Sequence, residues 1–210
     1  MIFAGEVDIR VIEEFRKQSI PVVLVNNYLD MDGLVCISAD HYGGAVQATE
    51  YLCKLGHCKI GLLSGRFSPQ VSEARIEGFV KTLAKYDIPV DDRFIADIEP
   101  ALEDGEEIMT RMLREVDRPT AFFCTNDTIA AGAMKAVTRA GLRVPEDIAI
   151  VGFDDSYISR VVEPELTTVR IDAAKMGCLA MQTLFDLIAG MPVEKAHIQI
   201  PTELIVRGTA

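Results

Sequence analysis

The sequence predicts an α/β protein built on parallel sheet, and three stretches carry that prediction. In Pro119–Tyr157 the apolar run Ala121–Cys124 ends in Thr125-Asn126-Asp127. A helical pattern and a turn at Arg143-Val144-Pro145 follow, and a second apolar run, Ile148–Phe153, ends in Asp154-Asp155. Strand, helix and strand within about 35 residues make a βαβ unit with a right-handed crossover. Val22–Val25, ending at Asn26-Asn27, and Lys59–Leu63, ending at Ser64-Gly65-Arg66, are further apolar strands stopped by polar residues. Open parallel sheets hold ligands at the carboxyl ends of their strands. Asn126 and Asp154 are therefore the first candidates for a binding site.

The other elements follow the same alternation. Met1–Ala4 reads as the tail of a strand. Val7–Ser19 places Val7, Val11, Ile12 and Phe15 at helical spacing. Val35–Ser38 is a short strand, and a helix runs from Asp40, a fitting N-cap, through Leu55 to a stop at Gly56. Ser72–Lys85 is an amphipathic helix with Arg75 in its first turn and Ile76, Phe79, Val80 and Leu83 on its apolar face. Phe94–Ile98 is a strand and Glu103–Glu115 a helix. Glu163–Val169 is extended, Asp172–Ala189 is a long helix stopped by Gly190 and Pro192, and the strands His197–Ile200 and Leu204–Val206 close the chain.

Composition narrows the function. The 210 residues are 49% hydrophobic and 25% charged, enough to bury a core. A net charge of −11 argues against this segment itself gripping phosphates, since non-specific DNA affinity comes from clustered Lys and Arg. The first ten residues lack a basic flank and a cleavage-site pattern, and no apolar run approaches the ~20 residues that span a bilayer, so no membrane association is expected. The 5 cysteines form no CxxC pair, which points to reduced, buried thiols and a cytoplasmic protein. The 3 histidines, His41, His57 and His197, lie far apart in sequence, so no metal site is expected; no cofactor is expected either.

Catalytic patterns are nearly absent. Gly61–Gly65 does not have the G-x-S-x-G spacing of a nucleophile elbow, and no glycine-rich phosphate loop is present. Asp154 and Asp155 could pair as acids, but neighbours on an extended chain point opposite ways. Binding fits better. A carboxylate accepts from two adjacent hydroxyls, an amide both donates and accepts, and a guanidinium offers a planar fork. Asn26, Arg75, Asn126 and Asp154 thus form a set suited to a polar, hydroxyl-rich small molecule. Structural readings stand beside this one: Asn126 as a turn residue, Asp127 as the cap of the helix from Thr128, Arg75 as a solvated helix residue, Asp155 as a loop partner.

An ordered series of motifs is more specific than any of these residues. It comprises Ile20-Pro21-Val22-Val23 with Asn26, Asp40 with Gly44-Ala45, and Leu55-Gly56-His57 with Ile60. Ser64-Gly65, Arg75-x-x-Gly78-Phe79, Pro119-Thr120-Ala121, Asn126-Asp127 and Ala131-Gly132 follow. Then come Gly141-x-x-Val144-Pro145-x-Asp147-Ile148, Gly152-Phe153-Asp154-Asp155, Leu166-Thr167-Thr168-Val169 and Pro201–Arg207. In this series the chain resembles, nearly end to end, the effector-binding core of the lactose-repressor/galactose-repressor family of bacterial transcription regulators.

The resemblance implies a periplasmic-binding-protein-like type I fold of two parallel-sheet subdomains, crossed three times by the chain, with the effector in the cleft. It places residues 1–66 plus 170–196 in the first subdomain and 67–169 plus 197–210 in the second. It implies effector contacts from Arg75, Asn126, Asp154 and Asn26. Pro100-Ala101 falls where the family often has an aromatic ring under a sugar, and Phe67 and Tyr157 are the candidates to replace it. The family's DNA-binding headpiece and first two strand–helix units have no counterpart in this chain. The first subdomain is therefore expected to be incomplete and less stable, and to show lower hydrogen-exchange protection than the second; equal protection would contradict this. The implied function is sensing of a small effector, a carbohydrate or similar, by a dimeric regulator that meets operator DNA only through the missing headpiece. A transport-type binding protein of the same fold is the first alternative, and an α/β enzyme using Asp154 as base the second.

Overall fold

A computed structural model describes residues 1–5, 7–27, 29, 31, 33–192 and 196–210. In chain order its elements are β1 (Ile2–Ala4), α1 (Ile9–Lys17), β2 (Val23–Val25), β3 (Val35–Ala39), α2 (His41–Lys54), β4 (Ile60–Gly65), α3 (Pro69–Lys85), β5 (Ile95–Ile98) and α4 (Leu102–Met112). They continue with β6 (Ala121–Cys124), α5 (Asp127–Arg139), β7 (Ala149–Asp154), β8 (Thr167–Arg170), α6 (Ala173–Ile188), β9 (His197–Ile200) and β10 (Glu203–Ile205). The chain divides into two units, Met1–Asp40 with Asp172–Pro201, and His41–Ile171 with Thr202–Ala210. Among the described residues no helix is long and apolar enough to cross a membrane.

The first unit is a four-stranded parallel sheet in the order β1-β2-β3-β9, against which α6 packs. Its core joins Ile12 of α1 to Val22, Leu24, Leu34 and Cys36, with the Phe3 and Phe15 rings 5.7 Å apart beside them. Asp8 caps α1 by accepting from the Arg10 N–H at 2.9 Å.

The second unit carries a six-stranded sheet in the order β10-β8-β7-β6-β4-β5, parallel except where β10 runs antiparallel to β8. Successive side chains on a strand face opposite sides. Phe122, Cys124 and Ile150 accordingly pack with Met109, Ala133 and Val137 of α4 and α5 on one face. Ala121, Phe123 and Val151 pack with Ala48, Leu52, Phe79 and Leu83 of α2 and α3 on the other. A sheet covered on both faces needs continuous apolar strands rather than alternating ones, and so β6 and β7 read as unbroken runs.

Several expected boundaries change. The chain leaves the first unit after Asp40, whereas the sequence placed residues up to 66 there. The reason is that β4 pairs with both β5 and β6, and α2 shares a core with α3. Ser64-Gly65-Arg66 ends an inner strand and is no crossing. At the other end, the chain re-enters the second unit after Pro201. α3 begins at Pro69, whose ring suits the first turn of a helix, so Arg75 lies in the second turn. The stretch expected to be extended from Glu163 becomes strand only at Thr167 and continues to Arg170, and a 3-10 turn forms at Tyr157–Arg160. Cys36, Cys53 and Cys124 are buried as expected, but Cys58 and Cys178 are exposed.

Gly132 sets how closely α4 and α5 approach. A Cβ there would stand 2.1 Å from the Leu102 carbonyl oxygen and 2.8 Å from the Glu106 nitrogen, both backbone atoms. Gly132→Ala is expected to destabilise the second unit by about 3 kcal/mol, because backbone cannot yield as a flexible side chain does. The check is the urea midpoint at unchanged slope; a midpoint equal to that of the parent would show that the helices separate without cost.

Candidate functional site at the carboxyl edge of the six-stranded sheet

The connection after β4 lies on one face of the second unit's sheet, through α3, and the connection after neighbouring β6 on the other, through α5. Chain direction therefore diverges between β4 and β6. Such a switch point opens a crevice beyond the carboxyl ends of the strands. Thr125-Asn126 at the end of β6, Asp154 at the end of β7, and Arg75 on α3 converge there.

Arg75 is the centre of the group and is 3% exposed. Its guanidinium carbon lies 3.9 Å from the centre of the Phe153 ring and 4.9 Å from that of Phe67. One amino group donates to the Thr125 carbonyl. The other donates to His41 Nδ1 at 3.2 Å and to Asp154 Oδ1 at 3.3 Å. The Asp154 side chain is 37% exposed, so the pair has a buried cation and a carboxylate that solutes can reach. Desolvation pushes the Asp154 carboxyl up to about 6, against the opposing pull of Arg75. Burial first, and the neighbouring guanidinium second, hold the His41 imidazole down at about 3, so it is neutral.

Adjacent Asp155 has a different task. Asp154 and Asp155 have φ of 108° and 51°, so the chain turns sharply as β7 ends. Non-glycine residues adopt such values at a cost and concentrate at functional sites. Asp155 accepts from Arg170 at 2.7 Å, Arg207 at 2.5 Å and the Ser159 hydroxyl at 3.0 Å. Its burial alone would raise the carboxyl, but those hydrogen bonds prevail and hold it at about 2. It clamps β7 to β8 and the C-terminal segment.

Asn126, and not Asp127, caps α5: its Oδ1 accepts from the Ile129 N–H at 2.8 Å. Asp127 is buried beneath, accepting from the Ser156 N–H at 2.6 Å and the Thr168 hydroxyl at 2.5 Å. A Cβ on Gly152 would stand 2.6 Å from Asp127 Oδ1, so only glycine leaves room for it. Burial raises the Asp127 carboxyl, and the hydrogen bonds from Thr168 and Ser156 oppose that rise. Position alone did not separate the two residues as caps, since either type suits the role.

Asn26 belongs to the first unit, where its Oδ1 accepts from the Ala39 N–H at 3.2 Å and joins β2 to the end of β3. The structure thus groups Arg75, Asp154 and Asn126 within one unit and gives Asn26 a backbone-bridging role in the other. Of the two aromatic candidates, Phe67 stacks on Arg75, and Tyr157 is 82% exposed. His41 is a further residue at this site, beyond those the sequence suggests. Its only sequence signal is its place directly after Asp40 at the start of a helix.

The periplasmic binding protein-like domain matches residues 49–210. A probable HTH-type transcriptional repressor, ExuR of Bacillus subtilis strain 168, is 34% identical over 203 residues, which is 97% of this chain and 61% of the relative. The chain thus spans about three-fifths of that protein's length. A regulatory protein of the LacI family from Chloroflexus aggregans superposes with a TM-score of 0.90 at 30% identity, over 99% of this chain and 75% of its own. A LacI family transcriptional regulator from Enterococcus faecium, solved with bound ribose, gives 0.89 at 26% identity, over 99% and 78%. With the parallel-sheet units and the ordered motifs already described, these likenesses show that the chain belongs to the LacI family and forms its periplasmic-binding-protein-like effector domain.

Proposed function

We propose that this chain is the effector-sensing part of a cytoplasmic, homodimeric transcriptional regulator, and that its second unit binds a small, hydroxyl-rich ligand through Arg75, Asn126 and Asp154. One observation carries the reading: a buried guanidinium, in contact with two phenyl rings, holds a carboxylate that remains open to solutes. An ionised carboxylate accepts from neighbouring hydroxyls, and Arg75 keeps it oriented. Asn126 commits its oxygen to the helix cap and offers its NH2 group. Asn26 is proposed as a ligand donor on its own unit's account: its oxygen is likewise committed, so its NH2 group is the part that would meet a ligand. The ribose bound to the Enterococcus faecium regulator supports a sugar as ligand class. DNA binding would belong to a headpiece, and the ligand can alter it only by its differential affinity for two shapes of the protein.

The test is a thermal melt against sugars, polyols and nucleobases. A ligand at a hundred times its dissociation constant adds about 2.7 kcal/mol to the folded state. A shift confined to polyhydroxylated compounds is the expected result. A shift with nucleobases alone would replace the sugar reading, and turnover of a sugar derivative that is lost in Asp154→Ala would favour an enzyme.

A further inference from the structure

His41 opens α2 and is 2% exposed. Its Nδ1 accepts from Arg75 Nη2, which leaves the proton of the neutral ring on Nε2. Nε2 is buried and has no hydrogen-bond partner among the described residues. A buried donor without an acceptor is destabilising, and an apolar ring of similar size would avoid that cost. The imidazole lies 6.1 Å from the Phe153 ring, so packing alone would be served as well by phenylalanine. What phenylalanine could not supply is the acceptor at Nδ1.

That acceptor matters because of the way Arg75 is held. The cation–π contacts with Phe153 and Phe67 hold the guanidinium against the two rings but do not fix its rotation. The Thr125 carbonyl holds Nη1. Nη2 has two hydrogens, one directed to His41 Nδ1 and one to Asp154 Oδ1. Asp154 is reachable by solutes, so a ligand would share it with Arg75. His41 is a buried partner at Nη2.

We propose that His41 is a positioning residue of the effector site: by accepting from Arg75 Nη2 it fixes the guanidinium in the one orientation that presents Asp154 to a ligand. The ring can do this only while neutral, since a protonated ring would set a donor against a donor. The proposal rests on the reading of Arg75 and Asp154 as ligand-binding residues, but its test needs no ligand.

The test is NMR of the isotopically labelled chain. In the parent, the His41 nitrogens should show Nε2 protonated and Nδ1 accepting, and Arg75 should give separate, slowly exchanging Nη–H signals. His41→Phe should collapse those signals into an averaged resonance, while His41→Asn, whose amide oxygen can stand in for Nδ1, should restore them. A parent ring protonated at Nδ1, or a His41→Phe chain that keeps the resolved signals, would overturn the proposal. The parent tautomer is read without any variant, so the test stands even where a substitution misfolds. Failure of the ligand reading shows separately, as the absence of any melt shift in the parent.

Discussion

Arg75→Ala is expected to abolish ligand-induced stabilisation and to lower the stability of the second unit by about 3–5 kcal/mol, from the lost stacking and the acceptors left unmet. The substitution removes the donor to the Thr125 carbonyl and the partner of Asp154, and it leaves two phenyl rings without the cation against them. Arg75→Lys separates the contributions. It keeps the charge but loses the fork and the planar stacking, so it should restore part of the stability and little of the binding. Urea midpoints and melts with the best compound of the panel read the two effects. A chain that keeps full binding without the guanidinium would remove Arg75 from the site.

Asp154→Asn is expected to weaken binding by about 1.5–3 kcal/mol, the worth of hydrogen bonds to a charged group, and to remove its pH dependence. The sign follows from the carboxyl's rise from 3.8 to about 6. A ligand that donates hydroxyls needs the ionised form. Affinity should therefore climb as pH rises through about 6, and at pH 5 it should be roughly tenfold weaker than at pH 7.5. Stability runs the other way. An acid that holds its proton more tightly when folded takes stability away as pH rises through the same window. Asp155 is the opposite case: depressed from 3.8 to about 2, it contributes fully above its ordinary value, and that contribution is lost as pH falls toward 2. Calorimetric titration from pH 5 to pH 8 with the parent and Asp154→Asn checks the first claim. A flat profile in the parent would show that Asp154 does not meet the ligand as an ion.

The strands and helices were legible because their physics is local. Unbroken apolar runs such as Ala121–Cys124 mark strands buried on both faces, and Asp154 stands out as the polar stop of such a run. The domain boundary was not legible, since pairing of β4 with β6 joins residues about sixty positions apart and leaves no local pattern. The capping of α5 by Asn126 and the burial of Asp127 could not be told apart by residue type either. They are settled by the space above Gly152 and by the Thr168 hydroxyl. His41 carries no local mark for the same reason, because its partner Arg75 is on another helix.

The most direct test of ligand binding at Asp154 is a crystal structure of the chain with the panel compound that raises its melting point most. Adjacent hydroxyls of that compound should lie within hydrogen-bonding distance of the Asp154 carboxylate, with the Arg75 fork still against Phe67 and Phe153. A compound bound elsewhere, with Asp154 facing only water and Arg75, would contradict the assignment.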